Sequence, residues 1–549
     1  MPNPKIVKAV VKNYKALKDR EFQFNEDLNI LVGDNDIGKS TLLESIEIAL
    51  RSTLRGKPIV SALVPALFNR ECQQEYLDGD KSEDSLPEIL IELYLDGAPE
   101  LRGWNNSKGE DAEGISMRIC FDTDFSEPYA AFVQAAETIS AIPVEFYQCE
   151  WLDFAHARMM RFRPPVKGLF LDPSRLHPTL GRSQYIRGIL DSALERGERS
   201  KLNLAYRELR ARFDEIPSVQ EVNSQLDIDN DVTDKDLSIT ADVAGDSSWE
   251  ANLQIALDSV PFQHAGKGEQ SQVQIKLGLL NKANEVDVVM LEEPENHLTH
   301  MNLTRLVGYI EERIGGAQVF ITTHSSYVLN TLSFGKVCLM GDEYKRFLDL
   351  DAAVIRRLQR LPGYDTLRAV LARKVVLVEG PSDELVLKRL YLDQHGVLPE
   401  VHGIDVIVVR GIGFKNFLHI LKSLGHPVHV VRDNDGDYQA NVEEWFAEFE
   451  EPLRVFAPLN NADRSLEPSL ISENSESVES LDHFARVALS TQTFRAYDTG
   501  NLEDRRDFLL DWYAGANRGS KKVDSAARIL ESDERIRFPR HLHLALTFE

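Results

Sequence analysis

The chain has 549 residues, of which 62 are Lys or Arg and 88 are Asp or Glu, so its formal net charge is −26. This length predicts several domains, and a hydrophobic fraction of 43% with 27% charged residues excludes disordered and fibrous chains. The acidic excess argues against a basic nucleic-acid-binding module, because contacts from Lys and Arg to phosphate supply most of the affinity of such proteins.

The four cysteines lie far apart and form no C-x-x-C pair, which argues against a zinc site and against a disulfide framework. The first residues contain no apolar segment followed by a cleavage site, and no apolar run is long enough to span a bilayer. These features predict a cytoplasmic protein with no membrane partner.

The N-terminal part reads as strands that lead to a glycine-bounded loop and a helix. Two short runs around residues 6–11 and 21–24 alternate apolar and polar positions, and residues 28–32 form a continuous apolar stretch. The pattern TLLESIEIAL, which starts at Thr41, has helical periodicity. Residues 81–126 turn acidic and glycine-rich, and the segment GWNNSKGEDAEG at 103–114 predicts an exposed loop between strands.

The middle of the chain mixes helical and strand patterns. Residues 183–225 are helical and heavily charged, which fits either a solvated helical pair or a dimerisation arm. The polar stretch 223–248 predicts a loop and an edge strand, and residues 272–340 read as a strand-rich block. After a helical connector at 343–373, strand and helix patterns alternate from Lys374 onward, which predicts a parallel sheet.

Residues 33–40, GDNDIGKS, fit the phosphate-binding pattern G-x-x-x-x-G-K-[ST] and lie between a predicted strand and a predicted helix. Backbone N–H groups of such a loop surround phosphate oxygens, Lys39 can reach the terminal phosphates, and Ser40 can ligate Mg²⁺. The loop therefore predicts that the chain binds a nucleotide together with one magnesium ion. Its candidate nucleotide-binding residues are Gly33, Asn35, Gly38, Lys39, Ser40 and Thr41.

A second predicted strand, residues 288–291, ends in Glu292 and Glu293. Carboxylates at such a strand end can bind the nucleotide's metal ion and polarise the attacking water. Glu293 is the candidate for polarising water, and Glu292 takes the metal-side position. The segment GKGEQS lies upstream at 266–271, and a third buried strand ends at His324.

These segments together resemble the ABC-type ATPases of the SMC and RecF-like group. In that family a glycine-rich signature loop of one head closes on the nucleotide held by the other head, and a histidine contacts the terminal phosphate. The resemblance implies that Gly266, Gly268 and Gln270 belong to the signature loop, that His324 is the switch residue, and that the heads form a homodimer or a higher homo-oligomer.

Two departures from that family's pattern affect the expected ATPase. The signature reads GKGEQ instead of LSGGQ, and Glu292 replaces an aspartate, so we expect slow or differently gated hydrolysis. The family's metal-contacting glutamine has no firm match. Gln148 follows a predicted strand, and its other interpretation is an ordinary polar residue.

A second group of acids lies in the C-terminal part. The strand pattern KVVLVEG ends at Glu379, and Asp383 follows near a helix start, so both carboxylates can enter one crevice above the sheet. Asp433 and Asp435 end another strand, and their oxygens suit Mg²⁺ or Mn²⁺. An EF-hand loop is excluded because Tyr438 occupies the position that needs glycine and a strand precedes the loop.

The Glu-Gly pair and the Asp-x-Asp motif, in this order of strands and helices, resemble a Toprim domain. A Toprim domain behind a RecF-like ATPase resembles the OLD (overcoming lysogenisation defect) family of nucleases. The resemblance implies a further acid, Glu467, and an active-site lysine, which is Lys522 or its near-equal rival Lys521. It also implies a two-metal site with magnesium or manganese and the metal ligands Glu379, Asp383, Asp433, Asp435 and Glu467. Gly411 and Gly413 resemble a family turn.

The expected function is an ATP-regulated, divalent-metal-dependent DNA endonuclease that hydrolyses phosphodiester bonds. The resemblance implies anti-phage defence or DNA processing as its setting, DNA as its partner, and a helicase-like or other defence-system partner in some relatives. The alternative is a RecF-like ATP-gated DNA clamp with a non-catalytic Toprim domain, whereas a topoisomerase would need a further tyrosine-bearing domain. Across both sites the expected catalytic residues are Glu293, His324, Glu379, Asp433, Asp435 and Lys522.

The expected fold class is α/β, an ABC-type ATPase head followed by a Toprim domain with a Rossmann-like parallel sheet. The expected domains are an ATPase formed by 1–180 and 236–342, a helical insertion at 181–235, a helical connector at 343–373 and a Toprim nuclease at 374–549.

Overall fold

The computed structural model describes residues 3–135, 139–160, 164–172, 196–228, 256–282, 286–296, 316–324, 334–341, 343–358, 370–409, 414–447, 453–497, 500–515 and 518–548, with a few single residues between these ranges. The chain divides into two compact units. The N-terminal unit ends at Tyr344, and the C-terminal unit starts at Lys345 and also takes in residues 333–335. No helix in these ranges is both long enough and apolar enough to span a membrane.

The strands are, in chain order, β1 (Lys5–Tyr14), β2 (Leu17–Gln23), β3 (Leu28–Gly33), β4 (Thr53–Leu54), β5 (Lys57–Pro58), β6 (Ile89–Asp96), β7 (Arg102–Gly103), β8 (Ala112–Phe121), β9 (Tyr147–Asp153), β10 (Gly168–Leu171), β11 (Ala256–Leu257), β12 (Val260–Pro261), β13 (Val288–Glu292), β14 (Gln318–Thr322), β15 (Val337–Met340), β16 (Tyr344–Arg346), β17 (Lys374–Val378), β18 (Ile404–Val408), β19 (Val428–Val431) and β20 (Arg454–Phe456).

The α-helices are, in chain order, α1 (Lys39–Arg51), α2 (Ile59–Ala62), α3 (Arg70–Asp78), α4 (Ser126–Ala135), α5 (Arg196–Asp214), α6 (Pro217–Ile228), α7 (Lys267–Lys282), α8 (Ala352–Leu358), α9 (Pro381–His395), α10 (Phe414–Leu424), α11 (Leu466–Glu473), α12 (Val478–Ala488), α13 (Thr491–Ala496), α14 (Leu502–Ala514), α15 (Arg518–Glu531) and α16 (Arg540–Ala545). A short π-helix spans Gln439–Glu444.

The N-terminal unit contains two six-stranded sheets. One is antiparallel, with the order β2-β1-β6-β8-β7 and with β9 on β8. The other has the order β10-β13-β14-β3-β15-β16 and is parallel from β10 to β15. Every residue of β13 and β14 is buried, as expected for parallel strands covered on both faces. Because these strands run the same way, β3, β13 and β14 end at one edge of the sheet.

Helix α1 forms part of the core of this unit. Gly38 precedes the helix with a φ of 101°, a conformation that glycine adopts without steric cost, and Ser52 ends it with a φ of 52°. Leu42, Leu43 and Ile46 are fully buried in the same hydrophobic cluster as residues of both sheets. This burial fixes the start of the helix relative to the end of β3, and so fixes the intervening loop.

The C-terminal unit is built on a four-stranded sheet with the order β18-β17-β19-β20, in which every pair is parallel. Helix α9 follows β17, and helix α10 leads from the β18 side to β19. Apolar residues of α9, α11, α12 and α15 form one core with β17 and β18. The predicted α/β class, with a parallel sheet in the C-terminal part, is confirmed.

Several local predictions differ from the structure. Residues 267–282 form helix α7, so the predicted strand-rich block starts only at β13, and β16 lies at the start of the predicted helical connector. Gln148 was expected after a strand, but it lies inside β9 opposite Cys120, so that prediction is wrong. Helix α6 continues to Ile228 where a loop was expected.

Part of the predicted organisation falls on residues that the structure does not describe. Residues 181–195 and 229–235 of the helical insertion, 359–367 of the connector, and Gly411 with Gly413 lie outside the described residues. The domain bounds stay predictions, although the division between the two units falls two residues beyond the expected end of the ATPase at 342.

Candidate functional site

The phosphate-binding loop connects β3 to α1. A Cβ atom on Gly33 would lie 2.3 Å from the carbonyl oxygen of Met340, so only glycine allows β3 and β15 to approach at this point. Lys39 is 5% exposed, and its ammonium group donates hydrogen bonds to the carbonyls of Gly33 (2.9 Å) and Asp34 (2.8 Å). Burial lowers the Lys39 pKa, and the nearby acids, Glu293 first among them, oppose this.

The remaining candidate residues of this loop differ in exposure. Asn35 is exposed, Ser40 is half-buried, and Thr41 is buried at the first turn of α1. Backbone N–H groups at the start of this 13-residue helix are available for phosphate oxygens, and its dipole favours negative charge there. The loop therefore has the chemistry of a nucleotide-phosphate site.

The ends of β13 and β14 bring two predicted residues together. The Nε2 atom of His324 lies 3.3 Å from Oε1 of Glu293, and Asn296 donates a 2.7 Å hydrogen bond to the other carboxylate oxygen of Glu293. Glu293 has a φ of 41°, which is a strained conformation for a residue other than glycine. Glu292 is 7% exposed at the end of β13.

Glu295 is a residue of this edge that the sequence reasoning missed. Its Oε1 atom accepts hydrogen bonds from the Thr323 hydroxyl (2.7 Å) and from the backbone N–H of His324 (2.8 Å). It therefore ties the segment after β13 to the end of β14 and fixes the backbone of His324, the predicted switch residue. Its position two residues after Glu293 in the run EEPE was the available signal.

The signature-like segment lies at the start of α7. Gly266 precedes the helix, Gly268 lies in its first turn, and the Gln270 backbone N–H donates to the Gly266 carbonyl at 2.9 Å. The Gln270 side chain donates to the carbonyls of Phe262 (2.9 Å) and Ala265 (3.0 Å). These contacts are local, so the predicted contact of this segment with a nucleotide stays a prediction.

In the C-terminal unit, two predicted acids follow β17. Glu379 comes directly after the strand, with a side chain 36% exposed, and Asp383 lies in the first turn of α9. The Asp383 carboxylate accepts a 3.0 Å hydrogen bond from the backbone N–H of Gly380, so this acid caps the helix. The turn at Gly380 thus holds both acids at the carboxyl end of β17.

The loop after β19 carries Asp433 and Asp435 on either side of a buried asparagine. Asn434 is fully buried, and its amide donates to the carbonyls of Pro458 (2.7 Å) and Asn460 (3.0 Å). Asp435 has a φ of 50° and is exposed. Asn434, which lies between the two aspartates, therefore fastens the loop to the chain beyond β20.

Two further predicted residues reach this place from α11 and α15. The Lys522 ammonium group lies 2.6 Å from a carboxylate oxygen of Glu467, and Glu467 is 5% exposed. The neighbouring Lys521 instead donates to the Trp512 carbonyl at 3.1 Å and lies over the Trp512 ring. The structure thus brings Lys522 to the acids and turns Lys521 towards α14. The sequence alone left open which of the two lysines reaches the acids.

The acids influence one another electrostatically, and we call the five of them the carboxylate cluster: Glu379, Asp383, Asp433, Asp435 and Glu467. Burial first, and then repulsion from Asp383, Glu379 and Glu467, raise the pKa of Asp433 to about 8 against the attraction of Lys522. Burial together with the charges of Glu467 and Glu379 raises the Asp383 pKa to about 7. The pKa of Glu379 is also raised, chiefly by burial, with repulsion from Asp435 opposed by Arg432. Added positive charge would relieve this repulsion.

The donor set of the carboxylate cluster suits a divalent metal, because hard carboxylate oxygens are the usual ligands of Mg²⁺ and Mn²⁺. As placed, however, no three His, Cys, Asp or Glu side chains in the described part of the chain are arranged so that they could hold an ion. The chemistry of the residues therefore fits the metal, but their geometry would have to tighten around it.

Arg432 is a second cation at this site that the sequence reasoning missed. Its Nε atom lies 3.4 Å from Oε1 of Glu379, and its side chain is 14% exposed. The guanidinium carbon lies 4.5 Å from the centre of the Trp445 ring and 5.6 Å from that of Phe446. These aromatic contacts hold the cation against Glu379. Trp445 and Phe446 follow Arg432 by 13 and 14 residues, and Glu379 precedes it by 53, so no local pattern could reveal the contact.

Three family models match consecutive parts of the chain. Residues 5–96 match an AAA ATPase domain, and residues 106–330 match an AAA domain whose description also names the AbiEii toxin of a type IV TA system. Residues 370–435 match the TOPRIM domain described as overcoming lysogenization defect protein-like. The chain thus carries AAA ATPase domains and an OLD-like TOPRIM domain. This confirms the combination of domains that was predicted from its motifs. Domains of these kinds use a nucleotide and a divalent metal.

Among solved structures, the chain is similar to the SMC head domain from Thermotoga maritima, with 12% identity over 61% of this chain and 94% of that chain and a TM-score of 0.28. It is similar to the Pyrococcus furiosus Smc head domain with an extended coiled coil bound to the C-terminal domain of ScpA, with 12% identity, coverage of 63% and 97%, and a TM-score of 0.33. It is also similar to the recombination mediator protein RecF with ATP, with 11% identity over 63% of this chain and 100% of that chain and a TM-score of 0.33.

No curated protein matches the chain. Because the TM-scores of the solved structures are low, the fold assignment depends on the family models and on the strand order.

Proposed function

We propose that this chain, which joins AAA ATPase domains to an OLD-like TOPRIM domain, is an ATP-regulated DNA endonuclease that depends on divalent metal. Its substrate would be the phosphodiester bond, and its setting anti-phage defence or DNA processing. The ATPase heads would pair in a homodimer or a larger homo-oligomer, and a helicase-like or other defence-system protein is a further candidate partner.

The observation that carries this proposal is the convergence of charged groups in the C-terminal unit. Glu379 and Asp383 come from the end of β17, Asp433 and Asp435 from the end of β19, and Glu467 from α11. These acids are far apart in sequence, and their charges raise one another's pKa values. A purely structural domain gains nothing from such repulsion, whereas a metal-dependent site requires concentrated carboxylates.

Each residue of this site has a chemical role in the proposal. The carboxylate cluster would hold one or two divalent ions, which when bound supply an acidified water and offset charge on the phosphate. Lys522 would donate a hydrogen bond to a non-bridging phosphate oxygen as negative charge grows there, and Glu467 would orient the lysine through their 2.6 Å contact. Arg432 would keep the Glu379 carboxylate oriented.

The ATPase half would control when the nuclease acts. Lys39 and the N–H groups around Gly38 would bind the nucleotide phosphates, with Ser40 on its magnesium ion. The pair of Glu293 and His324, 3.3 Å apart, would position the attacking water and contact the terminal phosphate. Glu295 lies in the segment after β13 and holds the His324 backbone. Loss of the terminal phosphate from its contact with His324 would therefore be transmitted to that segment.

Cleavage of a supercoiled plasmid by the full-length protein tests the proposal. In Mg²⁺ or Mn²⁺ we expect nicked and linear products, which EDTA should abolish. The variant Asp433→Ala should cut at least about 100-fold more slowly, because losing one preorganised charged group costs on the order of 10²-fold in rate. Asp437→Ala is the matched control, since Asp437 lies in the same loop and is exposed, and its carboxylate accepts a local hydrogen bond from the backbone N–H of Ala440.

Two results would overturn the nuclease proposal. One is a wild-type protein that leaves the plasmid intact with either metal, with and without ATP. The other is an Asp433→Ala variant that cuts as fast as the wild type. In either case the ATP-gated DNA clamp with a non-catalytic Toprim domain would become the better account.

A further inference from the structure

A cavity of about 550 Å³ lies in the C-terminal unit next to the loop that carries Asp433 and Asp435. Its walls come from Tyr438, from the chain after β20, from the last turns of α11 and from α16. Its volume is in the range of small-molecule sites in proteins. It is separate from the carboxylate cluster, none of whose members lines it.

The cavity wall and the loop of the two aspartates form one hydrogen-bonded structure. Asn434 donates to the carbonyls of Pro458 and Asn460, and the backbone N–H of Asp435 donates to the Arg464 carbonyl at 3.1 Å. The backbone N–H of Tyr438 donates to the Asn461 side chain at 3.0 Å. A ligand in the cavity therefore contacts the segment that fixes Asp433 and Asp435.

Helix α11 provides a second connection between the cavity and the site. Glu467 lies on its first turn in the carboxylate cluster, whereas Ser469, Ser472 and Glu473 line the cavity. The Ser469 hydroxyl also donates to the Asp463 carbonyl at 3.2 Å, which joins the helix to the same wall. Two of the elements that bear metal-site acids thus border the cavity.

Part of the lining is apolar. Phe456, Pro458, Leu459 and Leu544 line the cavity, and the two leucines are 80% and 45% exposed. Tyr438 adds an aromatic side chain, half-buried. A planar base can pack against such surfaces, since stacking on aromatic and apolar side chains does not depend on the identity of the base.

The lining also carries polar groups of both kinds that a nucleotide needs. Asp463 is half-buried and accepts from the Asn460 amide at 3.1 Å, and its carboxylate can accept a hydrogen bond from an N–H edge of a base. Arg540 is exposed, where it can pair with a phosphate. Burial lowers the His541 pKa to about 4, so at neutral pH its uncharged ring can donate and accept.

We propose that this cavity binds a single nucleotide unit, with its base against Tyr438, Phe456 and Pro458 and its phosphate on Arg540. The unit would belong to the DNA strand next to the cut, and this part of the proposal rests on the proposed nuclease function. A free nucleotide has the same chemistry and is the other source. Occupation of the cavity would order the loop of Asp433 and Asp435 and would give the enzyme a base preference near the cleaved bond.

Equilibrium binding without divalent metal tests this site independently of cleavage. The probes are the four 2′-deoxynucleoside 5′-monophosphates and four single-stranded pentanucleotides, each of one base, measured by calorimetry in EDTA. The protein is full-length Lys39→Ala, which removes the contribution of the ATP loop. We expect saturable binding of at least one base, weakened about tenfold by Arg540→Ala through loss of a charge-assisted contact. Ser472→Phe should weaken it as well, because its ring would occupy part of the cavity.

The control is Arg535→Ala, because Arg535 is an exposed arginine of the same region, 76% exposed, that does not line the cavity. It should bind within about twofold of the parent protein, as a surface arginine outside the site contributes little. Binding of monophosphates indicates that a free nucleotide suffices, and binding of pentanucleotides alone assigns the site to the DNA strand.

Absence of binding by every probe, or binding that Arg540→Ala and Ser472→Phe both leave unchanged, would overturn the proposal. Arg540→Ala keeps the test valid if Ser472→Phe does not fold, because Arg540 is exposed. Failure of plasmid cleavage would not affect these binding results, so the failure of the two proposals can be told apart.

Discussion

Lys521 and Lys522 are adjacent residues of α15, and successive residues of a helix point about 100° apart. Only one of them can therefore face the carboxylate cluster. Lys522 does so through Glu467, while Lys521 bonds to the Trp512 carbonyl. Spacing along the sequence could not distinguish them, because the choice depends on how α15 is rotated against α9 and α11.

We predict that Lys522→Ala slows plasmid cleavage about 100-fold, since removal of one preorganised donor to the transition-state phosphate typically costs on the order of 10²-fold. The matched variant Lys521→Ala should stay within about threefold of the wild type. Initial cleavage rates at saturating Mg²⁺ provide the comparison. The reverse order of the two variants would mean that Lys521 is the active-site lysine.

Most residues of the two sites could be predicted from the sequence. The residues and conformations that could not be predicted share one physical cause. The five acids and Lys39 lie at ends of strands or starts of helices, where sequence patterns are informative. Arg432 and Glu295 act through neighbours contributed by other segments, and Glu293 and Asp435 have left-handed backbone conformations. Tertiary contacts impose such features, and strained residues of this kind concentrate at functional sites.

At the scale of elements, α9 and α15 are joined by one buried arginine. Arg389 is 4% exposed, and its guanidinium donates to the carbonyls of Ile529 (3.0 Å) and Glu534 (3.0 Å) and to that of Ser532. It is also paired with Asp393 at 2.9 Å. These bonds fix the end of the helix that carries Lys522 against the helix that carries Asp383.

We predict that Arg389→Met lowers the free energy of unfolding of the C-terminal unit by about 3 kcal/mol, because buried carbonyls and the Asp393 carboxylate lose their partner. Denaturant unfolding followed by tryptophan fluorescence measures the change. Arg537→Met is the control, since Arg537 is 57% exposed and pairs with the exposed Glu476, so it should cost less than about 1 kcal/mol. Equal midpoints for the two variants would contradict this role of Arg389.

Helix α16 should make the C-terminal unit sensitive to acid. Burial lowers the pKa of His541 to about 4, and it also lowers the pKa values of His426 and His429. Below the ordinary histidine pKa of about 6.5, the unfolded chain takes up protons that the folded unit does not. The stability that these neutral rings confer is therefore complete above about pH 6.5 and decreases as the pH falls towards 4.

We predict that the variant His541→Gln loses about 2 kcal/mol less unfolding free energy than the wild type between pH 7.5 and pH 5, because it lacks one of these groups. Denaturant unfolding at the two pH values gives the difference for each protein, so any constant effect of the substitution cancels. An identical loss in the two proteins would show that His541 titrates normally in the folded state.

Elements with a clear period were the predictable part of the fold. The buried strands β3, β13, β14, β17 and β19 follow continuous apolar runs, and α1 and α10 follow a helical repeat. Helix α7 carries a weakly amphipathic sequence, KGEQSQVQIKLGLLNK, so its helical period was missed. The three-residue strand β16 is too short to have a pattern, and its pairing decides its conformation.

At the scale of the whole molecule, the net charge of −26 is compatible with a DNA enzyme only if the charge at the site is reversed. The carboxylate cluster would repel a phosphate backbone by itself, and bound divalent cations would make the same place attractive. The affinity of the carboxylate cluster for duplex DNA should therefore depend on divalent metal, in a groove that the oligomer completes, whereas the separate cavity should bind a nucleotide unit without it. The central claim of this account is that the carboxylate cluster holds that metal.

Calorimetric titration of Mn²⁺ into the Lys39→Ala protein, which lacks the nucleotide-associated ion, tests this claim most directly. We predict that this protein binds one or two Mn²⁺ ions per chain. Adding Asp433→Asn should remove at least one of them. Adding Asp437→Asn, which alters an exposed acid of the same loop, should not change the number of bound ions. Absence of Mn²⁺ binding, or binding that Asp433→Asn leaves unchanged, would contradict the account.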